Sequence, residues 1–199
     1  MHGLINWSIQ CFVRDTYGHA VWERTMVGAG LEFSNFEALM HYSDDLTYKV
    51  IDAACLEISK PDHVFLEDLG TYLCTHPKLE AVRRLLRFGG DTFSEFLFSL
   101  DDLADRAHLA VPDLEMPRLI LRTTSPGNVA MRCNSKYRFF GPVMLGVLRA
   151  MADDYGMLVL LEYQGRNETE DLITIEMLEV DFAHGRAFSF GGAGAQNAV

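Results

Sequence analysis

The hydrophobic period of this chain changes once, near Pro117, and that change limits its fold more than any other feature. Before it, apolar residues recur at spacings of three and four, as they do on helices buried along one face. Leu4, Ile5, Ile9, Phe12 and Val13 form the first such stripe, and Tyr17-Gly18 marks its end. Phe36 to Tyr42, Asp44 to Ser59 and Val64 to Cys74 read as further helices, with Pro61 and Pro77 as boundaries. Asp91-Thr92 followed by Glu95 predicts the start of a longer helix running to Val111. Its broad apolar face would carry Phe93, Phe96, Leu97, Leu100, Ala104, Ala107 and His108.

After Pro117 the pattern shortens. Arg118 to Arg122 and Asn128 to Arg132 read as strands joined at Ser125-Pro126-Gly127, a strong turn signal. Gly141 to Tyr155 returns to helical spacing, with Gly156 placed to end it. Met157 to Tyr163 and Leu172 to Val180 read as two more strands, separated by a polar loop from Gln164 to Asp171. Helices followed by β-β-α-β-β predict an α+β fold with a four-stranded antiparallel sheet. The expected unit is a single domain over residues 1–190, helical over 1–115 and sheet-bearing over 116–190, with 191–199 a flexible Gly/Ala tail.

At 199 residues, with 49% hydrophobic and 23% charged, the chain can bury a real core without disulfides or metals. Its 28 acidic and 17 basic residues give a net charge of −11, which opposes binding to nucleic acid or to an anionic membrane. No apolar run approaches the ~18–20 residues of a membrane span, and the start lacks a secretory leader pattern. The expected location is cytoplasmic, and the expected partner another protein. Cys11, Cys55, Cys74 and Cys133 are too far apart for a CxxC motif and read as buried free thiols.

The usual catalytic signatures are missing, with no GxGxxG, P-loop, HExxH or GxSxG. Gly28-Ala29-Gly30 is followed by Leu31-Glu32-Phe33 and reads as a plain loop. Asp101-Asp102 and Asp153-Asp154 read as solvated helix-face charges, since adjacent helical residues point in different directions. The seven histidines, His2, His19, His41, His63, His76, His108 and His184, show no zinc-like spacing. His108 stands apart because its expected helix face is apolar, which suits a satisfied core histidine or a haem ligand.

Several residues together resemble the haem-nitric oxide/oxygen binding (H-NOX) domain family. They are Met1-His2-Gly3-Leu4-Ile5, Tyr17-Gly18, Phe96-Leu97 before Leu100-Asp101-Asp102-Leu103, then Met116-Pro117-Arg118-Leu119, and Ser135. The resemblance extends to about Phe190. It implies haem b between the helical and sheet parts, with Ile5, Pro117 and Ser135 at pocket positions. It also implies a regulatory role beside a signalling partner such as a diguanylate cyclase or a histidine kinase. The chain looks like the stand-alone kind of member, and catalysis of its own is not implied.

The family suspends its haem iron from one histidine and holds the propionates with a Tyr-x-Ser-x-Arg triplet. Counted from Pro117, the ligand position falls on Ala104 and the triplet on Cys133-Asn134-Ser135-Lys136-Tyr137, with Arg138 one residue late. Ala104 cannot coordinate iron. His108 lies one turn further along, about 6 Å on the helix axis. A metal–imidazole bond is only ~2 Å long, so haem would have to slide to reach it. Cys133 and Tyr137 are other possible donors, and which metal, if any, is bound stays open. Three functions are compatible with these residues: a sensor with haem ligated in another way, a haem-free module for protein or small apolar ligands, and an enzyme.

Overall fold

Backbone capping and proline divide the first 110 residues into seven helices. They are α1 (Gly3–Tyr17), α2 (His19–Gly28), α3 (Asp44–Ile58), α4 (Asp62–Thr75), α5 (Glu80–Arg87), α6 (Phe93–Ser99) and α7 (Leu103–Ala110). The computed structural model describes residues 1–178. The last two residues of the expected final strand, His184, the rest of the 1–190 unit and the 191–199 tail lie outside the described residues.

Helix α1 starts where His2 Nδ1 accepts the Leu4 N–H at 3.1 Å, and it stops at Gly18, whose φ is 95°. Thr92 and Glu95 cap α6 reciprocally, as their spacing predicts. Two expectations fail in this part of the chain. Residues 36–42 are not helical, because their backbone groups are engaged with the α1 region. Phe36 N–H donates to Gln10 Oε1 (2.8 Å), Gly3 N–H to Met40 O (2.7 Å) and Tyr42 N–H to Met1 O (2.9 Å).

The expected helix from residue 91 to 111 is also broken, by a 3-10 turn at Leu100–Asp102. Asp101 Oδ1 accepts the Leu121 N–H at 3.1 Å, drawing the turn onto the sheet, and Arg106 takes up the Ser99 carbonyl at 2.8 Å. The break rotates α7 relative to α6. Leu103 and Ala107 are buried, Ala104 is half-buried, and His108 is exposed rather than on an apolar face.

The second part comprises β1 (Arg118–Ser125), β2 (Asn128–Asn134), α8 (Phe140–Tyr155), β3 (Val159–Asn167) and β4 (Glu170–Met177). The four strands form one antiparallel sheet in the order β1-β2-β4-β3, so the α+β reading holds. The expected loop from Gln164 is shorter than its polarity suggests. β3 continues to Asn167, bulging at Gly165, and the reversal is confined to Glu168-Thr169. Gln164 and Asn167 are exposed on this edge strand, while Arg166 turns inward to Asp171.

One apolar cluster runs through both parts, from Ile9, Phe12 and Phe65 to Leu97, Leu100, Met131, Leu148 and Ile173. Helix α8 is its centre, buried almost throughout and packed between α4 and strands β3 and β4. Two glycines let α4 and α8 touch backbone to backbone. A Cβ on Gly70 would stand 2.0 Å from Val143 O, and one on Gly146 would stand 1.9 Å from Glu67 O. Cys74 and Cys133 are buried, whereas Cys11 and Cys55 are only half-buried, and all four thiols are free.

This crossing gives a direct stability test. Gly146→Ala must push two helix backbones apart and should cost about 3 kcal/mol in denaturant unfolding. Gly28→Ala, whose Cβ would meet only Ala53 Cβ at 3.5 Å, should be neutral or stabilising by up to about 1 kcal/mol.

Candidate functional site

Strand register brings the expected pocket positions to one end of the sheet. Leu119 pairs with Cys133, and Cys133 with Asp171, so this rung points inward next to the rung of Leu121, Met131 and Ile173. Arg118 pairs with Asn134, which sets buried Pro117 beside Ser135 at the same end. Ile5 is half-buried near the start of α1 and packs on the same core. Ala104 sits on α7, which packs against β1.

The carboxylate of Asp171 is fully buried and fully answered. Tyr163 donates its hydroxyl to Oδ1 at 2.6 Å, and Arg166 Nη1 donates to Oδ2 at 2.5 Å. The other arm of Arg166 reaches the Ser135 carbonyl at 2.5 Å. Burial, then the neighbouring Asp171 charge, pushes the Cys133 thiol up to about 12. Cys133 is therefore a protonated, inert thiol at neutral pH.

Ser135 and Tyr137 are used locally. Ser135 Oγ accepts the Tyr137 N–H at 3.0 Å, closing a turn. The Tyr137 ring is 4% exposed and stacks on Phe139, which in turn packs on Phe140. Burial is the main cause that pushes its hydroxyl up to about 12, so it stays a donor, and it donates to Glu115 Oε2 at 2.8 Å. Lys136 also holds Glu115, at 2.6 Å, and this bond is the main reason the Glu115 carboxyl lies below its ordinary range. Arg138 turns away toward α3, over the Tyr48 ring and 3.7 Å from Asp52.

Of the acidic pairs read as solvated, Asp101, Asp102 and Asp153 are exposed, with Asp101 also accepting the Leu121 N–H within β1, while Asp154 is half-buried between Arg83 and Arg87. Among the described residues, no group of three His, Cys, Asp or Glu side chains could hold a metal ion. No described helix is long and apolar enough to cross a membrane. The buried Tyr163–Asp171–Arg166 network is not evident from sequence spacing. Its signal is there nonetheless, since Asp171 lies in phase with Ile173 and Ile175 on the inward face.

The sequence model of a family described as Haem-NO-binding (HNOB) matches residues 2–162. The chain belongs to this family, the H-NOX domains. It is 25% identical over 154 residues to soluble guanylate cyclase gcy-31 of Caenorhabditis elegans, covering 77% of this chain. The matched segment spans only 22% of that cyclase. Among solved structures it resembles a Cs H-NOX mutant with 4-cyano-L-phenylalanine at site 5, with a TM-score of 0.75, 18% identity and coverage of 90% of this chain and 97% of that one. It also resembles an oxygen-binding H-NOX domain related to soluble guanylate cyclases, in its oxygen complex, with a TM-score of 0.69, 18% identity and coverage of 90% and 96%. At that identity the structural likeness shows the fold.

At the positions that the resemblance assigns to haem binding, the side chains lack a donor atom or are engaged elsewhere. Ala104 has no donor atom, and His108 is turned to solvent on the last turn of α7. Cys133 is sealed at 0% exposure under the Asp171 network. The Ser135 hydroxyl accepts the Tyr137 N–H, and the Tyr137 hydroxyl is spent on the Glu115 carboxylate.

The buried ion pair gives the next expected outcome. Arg166→Met leaves Asp171 charged and the Ser135 carbonyl unpaired in the interior, and should destabilise the fold by about 3–5 kcal/mol in urea unfolding. Arg138→Met, at an exposed pair, should change stability by less than about 1 kcal/mol in the same assay.

Proposed function

We propose that this chain is a haem-free H-NOX domain that regulates a signalling protein by direct contact, with no catalysis of its own. The observation that carries this reading is the conversion of the haem-clamping positions into structural contacts. Cys133 lies under a saturated buried network, Ser135 closes a turn, and Tyr137 ties Glu115 to an aromatic stack. Turning the Tyr137 hydroxyl to a porphyrin would break its bond to Glu115, and Cys133 is fully buried.

The family relationship supports a signalling partner, and a nucleotide cyclase, a diguanylate cyclase or a histidine kinase would suit it. We place the protein in the cytoplasm, with residues 1–190 acting as one domain. Regulation would act through the seam between the helical and sheet parts, where α4 meets α8 and Tyr137 meets Glu115.

Absorption spectroscopy tests the reading. Hemin titrated into the purified protein should keep its free spectrum, with no Soret shift, in both redox states and with nitric oxide. Ala104→His should also stay colourless, because a ligand alone does not reopen the seam. A saturable one-to-one Soret band in the unmodified protein would overturn the reading. Such a band appearing only in the variant would show an open pocket that lacks its ligand.

A further inference from the structure

Helix α2 closes with a Schellman turn. Gly30 takes a φ of 70°, the Leu31 N–H reaches Met26 O at 3.0 Å, and the Gly30 N–H reaches Val27 O at 3.0 Å. The stretch read as a plain loop at Gly28-Ala29-Gly30 is thus a helix end that folds residues 31–35 back along α2.

That returning segment is held rigidly. Trp22, itself fully buried, donates Nε1 to Ser34 O at 2.8 Å. Gln10 Nε2 donates to Asn35 Oδ1 at 3.0 Å, and the buried Phe36 ring anchors the far end. Between helix and returning segment lies an open groove of about 520 Å³. Met26 forms its floor, Val27, Leu31 and Phe33 its walls, and Glu23 and Glu32 its rim. Val27 is 78% exposed and Phe33 39% exposed, so both offer apolar surface that the fold itself does not cover.

Charge selects the occupant. Between Arg24 and Lys49 the sequence has no lysine or arginine, while Glu32, Glu37 and Asp45 are acidic and Asp44 is answered by the N-terminal ammonium at 2.7 Å. Of the nearby cationic groups, Arg24 is paired with Glu57, His19 faces Glu23, and Arg14 reaches Asn35 at 3.4 Å. A second copy would set glutamate against glutamate, and an anionic lipid surface would be repelled.

We propose that this groove is a docking site for a basic amphipathic segment of a partner protein, its apolar side chains between α2 and residues 31–35 and its lysines or arginines at the Glu23 and Glu32 rim. The proposal rests on the reading of the chain as an interaction domain and names the surface used. Because the wall is already held by the Trp22 and Gln10 bonds, docking would order little of the domain.

The test titrates the isotopically labelled full chain with a synthetic Leu/Lys amphipathic peptide of about 18 residues, roughly five helical turns. Two control peptides accompany it, one with serine for leucine at equal charge and one with glutamate for lysine. The Leu/Lys peptide should give saturable amide shifts centred on residues 23–35, and neither control should. The double variant V27S/F33S should weaken binding about tenfold, and E23Q/E32Q should weaken it severalfold and remove its salt dependence. F88S, at an exposed residue beside α5, should bind unchanged.

Thermal unfolding of each variant checks that the fold is kept, above all for V27S/F33S, because the Phe33 ring also packs on Phe36 and Tyr42. Equal binding of the serine control, no effect of V27S/F33S, or no binding at all would each overturn the proposal. Concentration-dependent self-association lost in V27S/F33S would assign the groove to a second copy instead. Binding to phosphatidylserine vesicles lost in that variant would assign it to a membrane. The hemin titration on the same samples is independent, so a failed groove and a failed haem-free reading are separately visible.

Discussion

The α4–α8 crossing is the contact on which the rest of this structure depends. It joins a helix of the first part to the helix of the second, at a separation that two side-chain-free positions, Gly70 and Gly146, make possible. Around it, Thr71 reaches the Gly146 carbonyl at 3.4 Å and Arg149 pairs with Glu67 at 2.8 Å, so the crossing is fixed in register as well as in distance. Because α8 also covers β3 and β4, the same contact sets how the helical part sits over the sheet. The contiguous core from Phe65 to Ile173 is a consequence of that placement.

With that frame held, the family's haem region is free to change its chemistry. An H-NOX pocket needs a donor on the helix beside β1 and polar clamps at the end of β2. On the proposed reading the first is Ala104, and the second is a set of residues engaged inside the protein. Arg166 is central there, because one guanidinium answers both the Asp171 carboxylate and the Ser135 carbonyl. Its planar, two-armed geometry suits that task in a way that lysine would not. Such a loss, if the haem titration bears it out, would leave the architecture intact, since stability comes from the layers and function from a few side chains.

Much of the architecture was legible in the residues, and the failures have definite causes. Strand and helix periods on either side of Pro117, the Thr92–Glu95 capping pair and Gly18 and Gly156 all act locally, so sequence spacing reports them faithfully. The segment at residues 36–42 misled because Phe36, Met40 and Tyr42 bond to Gln10, Gly3 and Met1, and its internal Met40–Glu37 bond closes a turn rather than a helix. The helix expected from residue 91 broke because Asp101 found a partner 20 residues away, on Leu121. That break also moved His108 out of the apolar face where the periodicity had placed it.

The sequence by itself determined the change of period at Pro117, the β-β-α-β-β order after it, several of the helices before it and the likeness to the H-NOX family. Those properties depend on local spacing and on residue identity. Only the tertiary structure decided that Cys133, Ser135 and Tyr137 are closed into other contacts, that Asp171 is buried beside Arg166, and that Val27 and Phe33 line a groove rimmed by Glu23 and Glu32. Each of these joins residues far apart along the chain or on different strands, and such pairings exist only once packing has brought the backbones together.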